Sequence, residues 1–287
     1  LLRGWRPSLR VPGDFHTRDG DVALAAGREE QVLRAHIDGV REGEGAWFEL
    51  SFGGLREGSP TPATHPAAAR GRVVFAPELD GRLLTVDGDA DAWRAGLHAN
   101  FRRNLRKARN RCDKAGAVLR RLAGPEADPA LFGRFVELEG AGWKGREGTS
   151  IGGRPSTHDF YEALTRRAAA RGWLEWHLLE LAGRWVAAHL AVRLGTNLVL
   201  LRIAYDEEER RLSPGNVLFA HVVQEAFGRD DVTVLDCLTN QPWHDNWNLE
   251  HGPYRLARVF PGAPLPFLLG TVPASLRPLA KRLLGRG

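Results

Sequence analysis

Three extended apolar segments, separated by two very short turns, constrain the fold more than any other feature of the chain. They occupy residues 174–181, 185–194 and 197–204. Turns of two or three residues join antiparallel neighbours, whereas parallel strands need a long crossover connection. The segments therefore predict an antiparallel meander of three strands.

Periodic apolar patterns on both sides of the meander complete a mixed set of helices and strands. The predicted order is a strand at residues 117–122, helices at 129–142 and 156–171, the meander, a helix at 217–227, a strand at 232–238, a loop or short helix at 242–249 and a strand at 254–260. This order predicts an α/β fold with a mixed, mostly antiparallel sheet flanked by helices.

A further helix is predicted at residues 91–114, where apolar side chains form one stripe at three- and four-residue spacing, namely Leu97, Phe101, Leu105, Ala108 and Cys112. Gly116 follows it in the position of a C-cap glycine. Upstream, the pattern predicts a helix at 28–41, a strand at 47–52, and short strands at 72–75 and 82–86 around a loop rich in Pro, Ala and Gly.

These patterns divide the chain into four parts. Residues 1–90 form a partial α/β unit, residues 91–116 a basic connecting helix, residues 117–262 the main domain, and residues 263–287 a basic tail. No apolar run reaches the roughly 20 residues that cross a bilayer, so we expect a cytoplasmic protein. The tail alternates leucines with basic residues, and its contact with the inner membrane face or with a synthase complex is an open alternative.

The net charge of +5 and the sequence pI of about 9.7 favour anionic partners. Much of the excess lies on the predicted helix, at Arg102, Arg103, Arg106, Lys107, Arg109, Arg111 and Lys114. Three interpretations stay open for this helix: a solvated face, a site for the phosphates of a nucleotide-linked or lipid-linked acceptor, and a site for tRNA. Without a nucleic-acid fold motif, we expect no sequence-specific reading of DNA or RNA.

A short polar turn, Ser213-Pro214-Gly215-Asn216, separates the meander from the apolar helix that follows. Ser213 is a candidate N-cap and Pro214 suits the first helical position. The unpaired N–H groups of a first helical turn bind anions, and Arg211 adds positive charge. The turn is therefore either a phosphate site or an ordinary capped helix.

The element order from residue 117 to 260 resembles the GNAT acyltransferase fold, in which the loop after the fourth strand holds the pyrophosphate of acyl-coenzyme A. The local motifs, Arg102-Arg103-Asn104-Leu105-Arg106, Trp143-Lys144-Gly145-Arg146, Tyr205-Asp206 and Leu212 to Asn216, resemble those of the cellulose-biosynthesis (CelD/BcsL-like) acetyltransferases. That group is similar to the Fem-type peptidoglycan aminoacyltransferases. The resemblance implies a tandem GNAT arrangement in which residues 1–90 are a truncated or degenerate first unit.

The resemblance also implies an acyltransferase that uses acetyl-coenzyme A or another acyl-coenzyme A as co-substrate. Backbone groups of Ile203 and Ala204 would position the donor, and its phosphates would lie at Arg211, Ser213, Gly215 and Asn216. In the common GNAT loop, Arg-x-x-Gly-x-Gly/Ala, Pro214 stands at the first glycine and Asn216 at the last small residue. A donor carried by tRNA or by an acyl carrier protein is therefore an alternative.

Three residues near the predicted site are candidates for the proton-transfer steps of acyl transfer. Asp236, inside an apolar strand, is either a base or a carboxylate paired with an arginine. His189 is either a base or a hydrogen-bonded core histidine. Tyr205 either protonates the leaving thiolate, as a tyrosine does in some GNAT enzymes, or caps its strand.

The acceptor site is predicted at Trp143, Lys144 and Arg146, with Arg102 and Arg106 of the basic helix and with Asn240 and Trp243 beyond the fifth strand. An aromatic plate with flexible cations suits a sugar or a phosphorylated acceptor, although surface packing explains Trp143 and Lys144 as well. His244, Asp245 and His251 lack the spacing of a metal site, so we expect no metal.

The resemblance thus implies an N-acetyltransferase of cell-envelope polysaccharide biosynthesis, acting by direct attack on an acyl-coenzyme A donor. Its acceptor is an amine or hydroxyl of a saccharide or of a nucleotide-linked or lipid-linked sugar. Two alternatives remain. One is a Fem-type transferase that uses aminoacyl-tRNA, and the other is a non-catalytic GNAT-like subunit of a polysaccharide-synthesis complex.

Overall fold

The structure, a computed structural model, describes residues 8–10, 25–43, 47–56 and 72–260 of the chain. The predicted amphipathic tail at 263–287 lies outside these residues. Contacts between Cα atoms divide the chain into two compact units, one formed by Arg82–Glu250 and the other by the residues before and after it. Within the described ranges, no helix has both the length and the apolar character of a membrane-spanning helix.

The smaller unit packs one helix on a short sheet. Helix α1 (Glu29–Gly43) buries Leu33 and Ile37 against strand β2 (Glu49–Arg56) and strand β9 (Glu250–Phe260). Strand β1 (Ser8–Arg10) pairs with β2 in parallel, and β2 pairs with β9 antiparallel. The predicted helix at 28–41 is therefore confirmed.

Strand β3 (Arg72–Thr85) is one continuous strand, whereas the sequence predicted two short strands around a loop. The stretch between the two predicted strands contains Pro77 and Gly81. Both residues can adopt extended backbone, since proline fixes φ near −65° and glycine is permissive. The last residues of β3 belong to the larger unit, where Leu83 pairs with Asp236.

The sheet of the larger unit runs in the order β3, β8, β7, β6, β5, β4. Its new strands are β4 (Val118–Ala123), β5 (Leu174–Leu181), β6 (Arg184–Leu194), β7 (Asn197–Tyr205) and β8 (Val234–Asp236). Strands β4 to β7 pair antiparallel, and β8 joins β7 in parallel. The predicted meander and the predicted mostly antiparallel sheet are confirmed.

Helices cover both faces of this sheet. Helices α2 (Ala90–Gly96), α3 (Ala99–Lys114) and α7 (Pro214–Phe227) pack on one face. Helices α4 (Phe132–Ala141) and α6 (Pro155–Ala170) pack on the other, and the one-turn helix α5 (Trp143–Arg146) lies between them in the chain. Cys112 and Cys237 are buried free thiols.

The helix predicted at 91–114 is two helices, because the chain breaks at Leu97 and His98 between α2 and α3. Leu97 is extended and buried, and its carbonyl oxygen accepts a hydrogen bond from Arg102 Nη1 at 3.0 Å. The predicted stripe on α3 is confirmed, since Ala108 and Cys112 are buried while Phe101 and Leu105 pack beside them. The compact unit begins at Arg82 and includes this helix.

A buried ion pair joins strand β5 of the meander to Arg229, two residues after the end of α7. The Glu175 carboxylate on β5 accepts hydrogen bonds from Arg229 Nη1 and Nη2, each at 2.8 Å. Glu175 is almost fully buried, and His177 Nε2 lies 3.4 Å from it. Burial opposes ionisation, but the nearby His177 ring and the hydrogen bonds from Arg229 outweigh it and hold the pKa of Glu175 far below its ordinary value.

We predict that Glu175→Gln destabilises the protein by about 3 kcal/mol at neutral pH, because it leaves the buried Arg229 with Asp231, a half-exposed carboxylate, as its remaining ion-pair partner. A carboxylate whose folded-state pKa is depressed adds stability above its ordinary pKa of 4.5 and loses that contribution as pH falls below this value. The difference between variant and wild type should therefore shrink on acidification in denaturant titrations. The exposed Glu162→Gln is the control, and a constant difference at every pH contradicts the prediction.

Candidate active site

The edge of β7 that faces β8 is paired over only part of its length. Strand β8 pairs with Asn197, Leu198 and Val199, and no described strand pairs with this edge over residues 200–205. The N–H of Asp206 donates to Val186 of β6 at 2.9 Å. Because neighbouring backbone groups alternate across a strand, the N–H and C=O of Ile203 point to the open edge, while those of Ala204 point to β6.

The separation of the two strands begins at Asp236. The Asp236 carboxylate accepts the N–H of Leu238 at 2.7 Å, which forms a tight turn at the end of β8, and Leu238 has a φ of 57°. The next residue, Cys237, donates its N–H to Arg82 of β3 at 2.9 Å. The chain thus stays with β3 and leaves β7. The predicted strand at 232–238 is reduced to three residues.

The first turn of α7 lies beside the end of β7. Ser213 occupies the N-cap position, but its side chain makes no capping hydrogen bond, contrary to our expectation. The reason is its left-handed backbone, with φ 52° and ψ 51°, where an N-cap residue is normally extended. The first hydrogen bond of the helix runs from the Val217 N–H to the Ser213 carbonyl at 3.1 Å. The N–H groups of Gly215 and Asn216, which precede Val217, are therefore presented by the first turn.

Two candidate catalytic side chains lie on the same face of the sheet as α7. The Tyr205 ring packs beside Gly215, where an added Cβ would lie 3.4 Å from Tyr205 Cδ1. His189 is buried opposite Ile203, with its ring centroid 6.4 Å from that of Phe219. Burial, and then the charges of His177 and Lys144, lower the pKa of His189 well below 6.5. Its imidazole is therefore neutral at physiological pH.

Helix α3 contacts the loop that leads into α7. Arg111 Nε donates to the Arg211 carbonyl at 2.7 Å, and Cys112 Sγ lies 3.6 Å from the Leu212 carbonyl. The Arg211 side chain is 79% exposed, and its Nε lies 3.6 Å from the Glu209 carboxylate. The basic helix and the predicted phosphate turn thus form one positively charged region.

The Trp143-Lys144-Gly145-Arg146 motif forms α5, which is held against α4 and against the loop after β7. The Trp143 N–H and the Arg146 Nη2 both donate to the Glu207 carboxylate, at 2.8 and 2.7 Å. A Cβ on Gly145 would lie 1.8 Å from the Gly140 carbonyl oxygen, so the close approach of α5 to α4 requires glycine. The Trp143 ring remains 40% exposed.

Lys144 points inward from α5 to the open edge of β7. Its Nζ donates to the Ile203 carbonyl at 2.6 Å and to Glu139 Oε1 at 3.0 Å. Glu139 also binds Arg202 Nε at 2.9 Å and the Ile151 N–H at 2.7 Å. Burial, and to a lesser degree Arg202, lower the pKa of Lys144, which Glu139 partly offsets.

Sequence reasoning missed Glu139 and Arg202, although a signal was present. Glu139 continues the spacing of Phe132 and Phe135 on the apolar face of α4, and Arg202 interrupts an apolar strand. Charges inside apolar patterns are rarely buried unless they are paired. Glu139 and Arg202 pair with each other, however, and they are 63 residues apart in the chain, so local spacing could not reveal the pair.

The other predicted acceptor residues make contacts within the protein. Arg102 donates to the carbonyl groups of Ala95 and Leu97 at the end of α2. Asn240 Oδ1 accepts from Arg82 Nε at 2.9 Å, and Trp243 packs edge-on against Phe219 at 5.1 Å. Arg106 is exposed on α3. Their role in substrate binding stays a prediction.

The histidine and aspartate after β8 also have partners. His244 Nδ1 accepts the Gln241 N–H at 3.0 Å, and Asp245 lies 3.0 Å from Arg82. Burial and Arg82 lower the pKa of His244 to about 4. Among the residues that the structure describes, no group of three or more His, Cys, Asp or Glu could hold a metal ion.

The larger unit thus combines a mostly antiparallel sheet, an open strand edge and a helix N-terminus beside that edge. Residues 99–246, just over half of the chain, match the family described as an acetyltransferase (GNAT) domain. The chain belongs to this family, and the protein is a GNAT acyltransferase. No curated protein sequence matches the chain.

Solved structures with the same fold include that of FemX, which is 13% identical with a TM-score of 0.60 over 84% of this chain and 79% of that one. L-PGS from Bacillus licheniformis is 13% identical with a TM-score of 0.55, over 91% and 80% of the two chains. The C-terminal domain of a putative lysylphosphatidylglycerol synthetase from Agrobacterium fabrum is 10% identical, with a TM-score of 0.57 over 88% and 78%. At these identities the likeness shows the fold alone.

We predict that Gly145→Ala destabilises the protein by about 1–3 kcal/mol, because the added methyl must displace the backbone of Gly140. Gly133→Ala in α4 is the matched control. Nothing lies within 4 Å of its Cβ position, and alanine stabilises a helix interior by about 0.5–1 kcal/mol. Thermal unfolding of the two variants should therefore shift in opposite directions, and a shift of the same sign contradicts the packing of α5 on α4.

Proposed function

We propose that the protein transfers an acyl group from acyl-coenzyme A, most simply acetyl-coenzyme A, to an amine or hydroxyl of a cell-envelope saccharide or its precursor. The observation that carries the proposal is the open edge of β7 at residues 200–205, which runs toward the first turn of α7. An extended arm with amide groups can pair with this edge as a further strand does. Six residues of strand provide about 20 Å of such edge, on which the Ile203 carbonyl already accepts a hydrogen bond from Lys144 Nζ.

The phosphates of the donor fit the far end of this edge. Gly215 and Asn216 offer their N–H groups at a helix N-terminus, and the exposed Arg211 adds a cation. A Cβ at position 215 would contact the Tyr205 ring at 3.4 Å, so a bulky side chain there would occupy the space between the turn and the ring. Proline at position 214 removes one N–H donor from the turn, which leaves Arg211 a larger share of the charge neutralisation.

The reaction would be direct attack within a ternary complex. The acceptor nitrogen or oxygen forms a bond to the acyl carbon, the carbon–sulfur bond breaks, and the acceptor loses a proton while the thiolate gains one. Tyr205, beside the first turn of α7, is placed to protonate the thiolate. Of the two candidate bases, His189 is neutral but its lowered pKa makes it a weak proton acceptor, and Asp236 already binds the Leu238 N–H.

Two observations support a saccharide acceptor. The Trp143 ring is exposed beside Arg146, and aromatic rings with a nearby polar group bind sugars. The motifs that contain these residues resemble those of the cellulose-biosynthesis acetyltransferases. Trp143 and Arg146 lie on the face of the sheet opposite α7. Donor and acceptor can therefore approach the β7 edge from different sides.

A Fem-type aminoacyl-tRNA donor is the second candidate function. Its support is the exposed basic surface of α3, which joins the phosphate turn through the contact of Arg111 with Arg211. Exposed cations on this helix include Arg103, Arg106, Lys107 and Arg109. Such a surface suits a polyanion longer than one coenzyme A molecule, and its binding should weaken steeply with salt.

The experiment is a calorimetric titration with acetyl-coenzyme A. We predict micromolar binding by the wild type and at least tenfold weaker binding, a loss of about 1.4 kcal/mol, by Gly215→Trp and by Arg211→Ala. Arg166→Ala removes an exposed arginine from α6 and serves as the control for net charge. Equal binding by all four proteins contradicts the assignment of the turn. Absence of wild-type binding, together with salt-sensitive binding of tRNA, favours the second candidate.

A further inference from the structure

Two cations share one carboxylate at the open edge of β7. Glu139 Oε1 lies 3.0 Å from Lys144 Nζ and 2.8 Å from Arg202 Nη2, and all three side chains are largely buried. Glu139 is the one acid within ion-pair distance of either cation among the described residues. The cluster therefore carries one more positive than negative charge. A buried excess charge is costly unless an anionic group balances it at some stage of function.

The position of this charge along β7 is specific. A bulge at Leu201 interrupts the pairing of β7 with β6, since Leu190 pairs with Arg202 while Ala191 pairs with Leu200. Arg202 and Ile203, the residues that contact the cluster, follow directly. Bulges frequently lie beside active sites because they redirect the backbone. The ammonium of Lys144 thus lies where the open edge changes direction, on the face opposite Tyr205.

We propose that Lys144 is a catalytic residue whose ammonium stabilises the oxyanion that forms on the acyl carbonyl, with Glu139 and Arg202 as its positioning residues. The inference rests on the proposed function. Lys144 uses two of its three N–H groups, on Ile203 and Glu139. The third N–H donates to the carbonyl oxygen of the donor. When the nucleophile attacks, that oxygen gains negative charge, which returns to the carbonyl as the carbon–sulfur bond breaks.

The surroundings of Lys144 support this role over a purely structural one. One cation is enough to balance the charge of Glu139, and Arg202 already provides it. Arg202 binds both Glu139 and the Thr149 carbonyl. The charge of Lys144 is therefore additional. Lys144 is also fixed from its backbone, since its carbonyl accepts the N–H groups of Thr149 and Ser150 at 2.8 and 3.0 Å. Because the Lys144 ammonium is held rigidly, it needs little reorganisation during the reaction. This is the condition for strong oxyanion stabilisation.

The test uses acetyl-coenzyme A with hydroxylamine, a small nucleophile that is largely uncharged at neutral pH. Hydroxylamine needs no acceptor pocket and little help from a base, so its acylation isolates polarisation of the carbonyl. Acetohydroxamate formation is measured for wild type, Lys144→Met, Lys144→Arg and the control Arg166→Met. Acetyl-coenzyme A binding and thermal unfolding are measured on the same proteins.

We expect wild type to exceed the protein-free rate, and Lys144→Met to lower kcat roughly 100- to 1,000-fold, the usual effect of losing one oxyanion donor. Its affinity for acetyl-coenzyme A should stay within about twofold, and Lys144→Arg should recover at least tenfold in kcat because it retains the charge. If Lys144→Met does not fold, Lys144→Gln replaces it, with the same loss expected.

An unchanged kcat in the folded neutral variant, or a change confined to KM, overturns the role of Lys144 and leaves the proposed function intact. Wild-type binding of acetyl-coenzyme A without any turnover of hydroxylamine overturns it as well. Absence of wild-type binding is a different outcome, because it removes the proposed function on which the inference rests.

Discussion

The parting of β7 from β8 after Val199 is the constraint on which the rest of the site depends. In a sheet, the backbone N–H and C=O groups on both edges of an inner strand are normally hydrogen-bonded. An inner strand whose edge is partly unpaired can therefore bind a ligand through these groups. Here Asp236 ends β8 by accepting the Leu238 N–H, while Cys237 remains bonded to β3. One carboxylate therefore determines both where the sheet closes and where the cleft opens.

The two sides of the cleft carry different functional groups. The first turn of α7, with Gly215 against Tyr205, faces the edge from one side and suits the phosphates and the leaving group. Helix α5 approaches from the other side and delivers Lys144 to the Ile203 carbonyl. The approach of α5 requires glycine at position 145, where a Cβ would lie 1.8 Å from the Gly140 carbonyl oxygen, whereas a Cβ at position 215 would contact Tyr205 at 3.4 Å.

Local patterns predicted the elements of the larger unit because their periodicity is strong. The meander, α6 and the stripe on α3 follow from spacing and from turn glycines such as Gly183 and Gly195, both of which have positive φ. The length of β8 could not be predicted, since the apolar run continues to Leu238 and only the side-chain contact of Asp236 ends the strand. The left-handed Ser213 was missed for the same reason, as an N-cap serine and a left-handed serine have the same sequence.

The candidate site was predictable in its motifs but not in its contacts. The sequence placed Tyr205, Gly215 and Lys144 in the site, yet it did not reveal that Lys144 pairs with Glu139 and Arg202. Such pairs join α4, α5 and β7, and no local pattern encodes which charges will meet. The hydrogen bonds of Arg102 to the carbonyl groups at the end of α2 were equally absent from the local pattern, and its role in substrate binding stays a prediction.

Amide hydrogen exchange at Ile203 and Tyr205 tests the central claim most directly, because their N–H groups should line the open edge of β7. In the free protein they should exchange faster than the amides of α6, which are bonded within the helix. Saturating acetyl-coenzyme A should slow both amides and leave α6 unchanged. Unchanged exchange at both positions, with bound donor protecting another part of the chain, would contradict the account.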